Sequence, residues 1–300
     1  MKIANILFPI LLCISLGTIM GRFLRVEVRP LSQLVLYILS PCLTFSWLMK
    51  IKLTAGETVE IIIFTIIHFV LSFLLMAVVL YLFPMSHSIK SSAILSSIFM
   101  NSANYGLPVI LFAFGEAGME RAIIFVVTQL VLFNTMGVYW GGQSSANRLL
   151  AMKRVLYLPT IYGVLLAAIL RITEINIPEM VITATGMLGE AAIPVMLVLL
   201  GLQLESIKQL KHIRLVVGVT IFRLIISPAL ALFILSFIMK TENQILVNVL
   251  LLEAAMPTAV NNMLLAIEFE GESDVTSSSI ILTTLLSFFT LSWLLSVLIE

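Results

Sequence analysis

Two stretches of the chain combine residue types that do not belong together in an ordinary helix. The first, Asn101-Ser102-Ala103-Asn104-Tyr105-Gly106-Leu107-Pro108, sets two amides, a glycine and a proline inside an apolar run. The second, Glu253-Ala254-Ala255-Met256-Pro257-Thr258-Ala259-Val260-Asn261-Asn262, does the same with a carboxylate added. Proline removes a backbone donor and clashes with the preceding turn, at about 3 kcal/mol in a helix interior. Asparagine is a poor helix former and a good cap. Broken backbone at membrane depth is tolerated only where it is buried in protein or lines a wet cavity. Each break frees N–H groups at the start of one half-helix, which suit anions, and carbonyls at the end of the other, which suit cations. The plain alternative is a pair of kinked structural helices. Corresponding breaks in both halves of a chain point instead to a binding site. Substrate contacts are therefore expected from Asn101, Asn104, Pro108, Pro257 and Asn261, and cation-binding oxygens from Glu253, Asn261 and Asn262.

Ionisable residues inside apolar spans are costly, which makes each a functional hypothesis. Glu190 stands four residues before Pro194, and Glu253 four before Pro257, so each shares a helical face with its proline. Gly186 and Gly189 thin the helix around Glu190. Both carboxylates are candidates for a coupling ion or a proton; facing headgroups is the bland reading of either. Arg223 is a candidate counter-ion for a substrate carboxylate, Glu190 or Glu253. Alternatively it snorkels, although it lies about 12 Å into its span. His68 reads as a hydrogen-bonded packing residue, and Gln129, Asn134 and Gln203 as glue between helices.

Enzymatic chemistry finds no support. Asp274 is the only aspartate, so there is no aspartate dyad and no aspartate-rich motif. HExxH, GxSxG, Walker and GxGxxG patterns are missing from the sequence. His68, His87 and His212 have no metal spacing, and Cys13 and Cys42 form no CxxC. The chain is read as no enzyme, with no metal and no cofactor. A net charge of +1 gives no reason to expect nucleic acid.

The elements that must position these residues follow from composition. Of 300 residues, 60% are hydrophobic and 11% charged, against about 25% charged in soluble proteins. Mean hydropathy is +1.14. A single soluble core cannot hide that much apolar surface, so its solvent is lipid. Ten spans are predicted: Ile3–Met20, Leu31–Met49, Val59–Leu82, Ser91–Phe114, Ala122–Trp140, Val155–Leu170, Val181–Leu204, Leu215–Met239, Ile245–Phe269 and Val275–Leu298. The first, long and interrupted by Pro9, reads as a retained helix rather than a signal peptide.

Loops after the odd-numbered spans hold ten Lys and Arg residues, and the other side holds six (Lys2, Lys50, Lys52, Arg121, Arg171 and Lys240). The excess places the former in the cytoplasm and both termini outside it. Prolines repeat across the two halves. Pro9 and Pro159 are 150 apart, Pro41 and Pro194 are 153 apart, and Pro108 and Pro257 are 149 apart. Two copies of a five-helix unit follow, over 1–140 and 155–300, joined by a short cytoplasmic connector at 141–154. Five is odd, so the second copy enters the membrane inverted.

At four places the chain resembles the auxin efflux carrier family, in a short prokaryotic form. The carriers of the likeness are Tyr37-Ile38-Leu39-Ser40-Pro41-Cys42-Leu43-Thr44-Phe45, the Asn101–Val109 run, Ala192-Ile193-Pro194 with Leu200-Gly201-Leu202-Gln203-Leu204, and Glu253–Ala259. The resemblance implies an all-α integral membrane protein of two inverted five-helix repeats, whose fourth and ninth spans cross at Pro108 and Pro257. Asn101 matches the family's asparagine seven residues before the proline. Spans one, two, six and seven are implied to be a scaffold past which the crossed helices shift. Plant relatives move the auxin anion, and bacterial ones are associated with malate, malonate and other organic acids.

The expected function is a secondary carrier in the cell membrane that exports a small organic anion by alternating access. Its expected partners are that anion and the lipid bilayer; a homodimer is left open. A rival is a sodium- or proton-coupled symporter on the same fold. A rival of another class is a ligand sensor that binds without transporting.

Overall fold

The computed structural model describes residues 2–137, 158–207, 210–268 and 271–299. The connector expected at 141–154 lies outside them. All regular structure among the described residues is helical, apart from one isolated bridge between Met100 and Thr258.

The helices are α1 (Lys2–Leu24), α2 (Val28–Lys50), α3 (Ala55–Tyr81), α4 (His87–Ile98), α5 (Leu107–Leu132), α6 (Pro159–Thr173), α7 (Glu179–Ser206), α8 (Ile213–Met239), α9 (Gln244–Ala254), α10 (Asn262–Glu268) and α11 (Ser273–Leu298). Six of these runs are long and apolar enough to cross a membrane unbroken: α1, α2, α3, α7, α8 and α11. The fourth predicted span is α4 plus the start of α5. Gly115, at φ +61°, kinks α5 and separates that span from the fifth. The ninth is α9 plus α10. Local chemistry sets the starts: Thr54 accepts from Glu57 N at 3.1 Å, Ser86 from Ile89 N at 3.4 Å and Asn243 from Leu246 N at 3.2 Å, capping α3, α4 and α9.

Three mid-span prolines share one device. A π-helical turn precedes Pro41 (Val35–Leu39), Pro108 (Ser102–Gly106) and Pro228 (Phe222–Ile226). The wider turn accommodates the missing N–H and the ring's clash with the carbonyl four residues back.

Helices α1, α2, α6 and α7 pack together. A Cβ on Gly17 would lie 2.0 Å from Val198 O, and one on Gly201 the same distance from Ile14 O, so α1 and α7 touch backbone to backbone. Gly163 also brings α6 close to α2, 2.9 Å from Pro41 O by the same measure. Gly17 faces Val198 and Gly21 faces Leu202 and Glu205, while Gly163 faces Pro41 and Arg171 reaches Leu48 and Ile51, so α1 and α7 run parallel, as do α2 and α6. The remaining helices pack around the break between α4 and α5 and that between α9 and α10.

Polar contacts between loops sort the connections by face. Arg121 pairs with Glu57 at 2.5 Å, and Lys52 N bonds Glu120 at 3.3 Å. Asn243 donates to Glu57 at 3.0 Å, and Arg171 donates to the carbonyls of Leu48 (2.8 Å) and Ile51 (2.7 Å). Connections after the second, fourth, sixth and eighth spans are thus gathered on one face. On the other, Lys211 pairs with Asp274 at 2.7 Å, joining the connections after the seventh and ninth. Side chains such as Phe8, Val78, Phe237, Phe289 and Trp293 remain exposed on the outer surface, as lipid-facing residues must be.

Candidate functional site

The two interruptions meet. Asn101 N donates to Pro257 O at 2.8 Å, and Ala259 N donates to Phe99 O at 3.0 Å, forming the bridge between Met100 and Thr258. Each bridging residue is held from a further helix. Gln129 of α5 donates to Met100 O at 3.0 Å, and Thr283 of α11 accepts from Thr258 N at 3.1 Å. Thr258 Oγ1 donates to Ser96 O at 2.8 Å, and Asn262 Nδ2 to Leu95 O at 3.0 Å and Phe99 O at 3.3 Å. Backbone groups freed by the breaks are thus satisfied by one another, as burial away from water demands. The crossing expected at Pro108 and Pro257 falls at Met100 and Thr258 instead. Pro257 stands in the bridge, while Pro108 lies in the first turn of α5. The reason is that the unwinding follows from the bridge, whereas Pro108 needs only the π turn before it.

Arg223 is wholly buried and does not snorkel. Its guanidinium donates to Ser97 O at 2.8 Å, and to Ala254 O and the Ser227 hydroxyl. Ser97 and Ala254 are at the C-terminal ends of α4 and α9. Each helix end carries about half a negative charge, so the two together balance about one guanidinium. Ser227 Oγ also donates to Ala254 O at 3.0 Å and lies 3.1 Å from His68 Nε2; His68 stacks on Phe64. Among the described residues no ion pair joins Arg223 to Glu190 or Glu253.

Glu253 reaches across to the other interruption. A Cβ on Gly106 would lie 2.6 Å from its Oε2, so any side chain there would have to displace the carboxylate. The residue is wholly buried; its carboxylate is faced by the Ser102 hydroxyl, although neither oxygen is within good hydrogen-bond geometry of any group among the described residues.

Beside the crossing lies a cavity of about 890 Å³. Asn104 and Asn261 enter it, one from each interruption, opposite Tyr37, Ser40 and Thr44 of α2 and Gln203 of α7. It extends to Arg29, Lys211 and Asp274, on the face of the connections after the odd-numbered spans. Its charged lining is two cations and one carboxylate, and the polar remainder is amide and hydroxyl. Such a lining can hold one or two carboxylate groups without a competing anion at depth. The hydrogen bond to Asp274 raises the Lys211 pKa, so the lysine stays charged at neutral pH and its share of the pairing is lost as pH climbs through the lysine range.

The predicted residues therefore separate. Asn104 and Asn261 line the cavity. Asn101 is buried at the bridge, Asn262 clamps α4, and Pro108, Pro257, Arg223 and Glu253 lie behind the cavity wall. Glu190 is exposed on the outer side of α7, away from the cavity, because Gly189 turns inward against Leu43 and Ser46. Arg29, Thr44, Gln203 and Lys211 were not among the predicted contacts. Gln203, read as glue, has a buried Oε1 without a partner among the described residues; a lone amide late in an apolar span was the available signal.

Many apolar spans around a polar, interrupted centre define a multi-pass membrane transport protein. The family comparison agrees: a model described as "Membrane transport protein" matches residues 1–295, and the chain belongs to this family, that of the auxin efflux carriers. The chain is 33% identical to an uncharacterized transporter of Methanothermobacter thermautotrophicus over 64% of this chain and 63% of that one. It is 28% identical to an uncharacterized transporter of Methanocaldococcus jannaschii over 98% of both. The chain thus spans less than two thirds of the first relative's length and nearly all of the second's.

Proposed function

We propose that the chain is a secondary carrier that exports a small organic anion, such as malate, malonate or an auxin-like acid, by alternating access. The observation that carries this reading is the cavity in which Asn104 and Asn261, from the two interruptions, face α2 and α7 under a net positive lining. The substrate's carboxylate accepts from these amides. Helices α3, α4, α5, α8, α9, α10 and α11 shift past α1, α2, α6 and α7 to expose the cavity on alternate sides.

The two halves are inverted repeats. Support comes from paired relationships: α1 lies along α7 as α6 lies along α2, and Gln129 holds Met100 as Thr283 holds Thr258. The face bearing Arg29 and Lys211 is cytoplasmic by its excess of basic residues, which puts both termini outside the cell. An anion leaving a cell that is negative inside gains about 2.3 kcal/mol per charge per 100 mV, so export needs no further energy source.

The test is counterflow of labelled mono- and dicarboxylates in proteoliposomes. Saturable exchange weakened by Asn104→Ala or Asn261→Ala is expected, and no exchange of any carboxylate would sink the reading. A coupled symporter is the second reading, favoured by the buried carboxyl of Glu253. Dependence of uptake on a sodium or proton gradient would select it.

A further inference from the structure

We propose that Glu253, with the Ser102 hydroxyl that faces it, is a proton-binding site loaded and emptied during the transport cycle. This rests on the carrier reading in its coupled form, with the proton as the co-transported ion.

A carboxylate sealed from water needs a counter-charge, either a proton or a cation. None is supplied by a neighbouring side chain among the described residues. Arg223, bonded to the carbonyl of the next residue, is committed to the helix ends. His68 lies behind Ser227. From the π turn before α5 the titratable group is Tyr105, and the buried face of α5 contributes none. Helix α11 offers only hydroxyls, Thr283, Thr284 and Ser287.

Two features favour a proton over a metal cation. One flank of the carboxylate is filled by the Gly106 backbone, where a Cβ would already lie 2.6 Å from Oε2 and 3.1 Å from Oε1. A six- to eight-oxygen shell of the kind hard cations require would have to form from the remaining side alone. Ser102 also faces the carboxylate, with a buried hydroxyl that has no other partner among the described residues. A hydroxyl both donates and accepts, so it can serve either protonation state.

The step balances simply. On loading, a proton from water adds to one carboxylate oxygen, and the new O–H donates to Ser102 Oγ. On emptying, the proton returns to water, and the Ser102 hydroxyl donates to the carboxylate.

The experiment is infrared difference spectroscopy on the purified full chain, titrated over pH in sodium-free and sodium-containing buffer. The expected result is a protonated-carboxyl band that Glu253→Gln removes, with uptake of about one proton fewer per chain. Ser102→Ala should keep that band but move its frequency and midpoint, which a purely structural Ser102 would not do. An unchanged band in Glu253→Gln overturns the proposal. So does a band displaced by sodium in the parent but not in Glu253→Gln, which would make this a cation site. Anion binding is read on the same samples by thermal shift. Its absence would defeat the carrier reading alone, leaving the titration to be judged separately.

Discussion

The guanidinium of Arg223 donates to the carbonyl of Ala254, the last residue of α9, while its other amino group holds Ser97 at the end of α4. One cation thereby caps the two half-helices that precede the crossing. Removing it leaves the buried Ser97 carbonyl unsatisfied and two helix ends facing one another. Arg223→Ala should lower stability by about 3–5 kcal/mol, measured as a large fall in Tm in detergent. Arg223→Gln should retain more stability yet transport poorly. If Arg223→Gln transports like the parent across a range of pH, the cap is dispensable.

Close packing of α1 on α7 predicts a contrast among glycines. Gly201→Ala must push a methyl group into Ile14 O and part the helices, at a cost of about 1–3 kcal/mol. Gly186→Ala has open space at its Cβ and should be neutral or gain about 0.5–1 kcal/mol from helix propensity. Thermal denaturation of the two variants checks the contrast; equal destabilisation would mean that the α1–α7 contact is looser than described.

The cavity separates two kinds of asparagine. Asn104→Ala and Asn261→Ala each remove a hydrogen bond to a charged ligand, about 1.5–3 kcal/mol, and should weaken apparent transport affinity roughly 10- to 100-fold with Tm little changed. Asn262→Ala should instead lower Tm, because its amide clamps Leu95 O and Phe99 O. The reverse pattern would place the substrate elsewhere.

Sorting of the loops predicts sidedness. Single cysteines at Lys52, Arg171 and Lys240 should react with an impermeant thiol reagent from one side of the membrane, and cysteines at Arg25 and Lys211 from the other. Labelling of Arg25 and Arg171 from the same side would refute the inverted repeat.

Much of this was legible in the sequence because its causes are local. A run of about twenty apolar residues must span a bilayer, so the ten spans could be drawn from composition. The interruptions at 99–106 and 255–261 were visible because Asn101, Gly106 and Pro257 each disfavour helix for reasons carried within a few residues. The kink at Gly115 likewise falls in the separator predicted between the fourth and fifth spans.

Only the tertiary structure decided which groups meet. Met100 pairs with Thr258 across 158 positions, and no local signal distinguishes that register from one centred on Pro108. Arg223 found helix ends rather than a carboxylate, because two converging half-helices create a negative site that exists in neither segment alone. Glu190 and Glu253 stand in the same relation to a proline, yet one faces outward and the other is sealed against Gly106; neighbouring helices determine which side of a span is interior. Hydrophobicity and helix-breaking residues were enough to count the spans and locate their weak points. Assigning partners required the fold, because burial and long-range hydrogen bonding arise only when the spans are packed together.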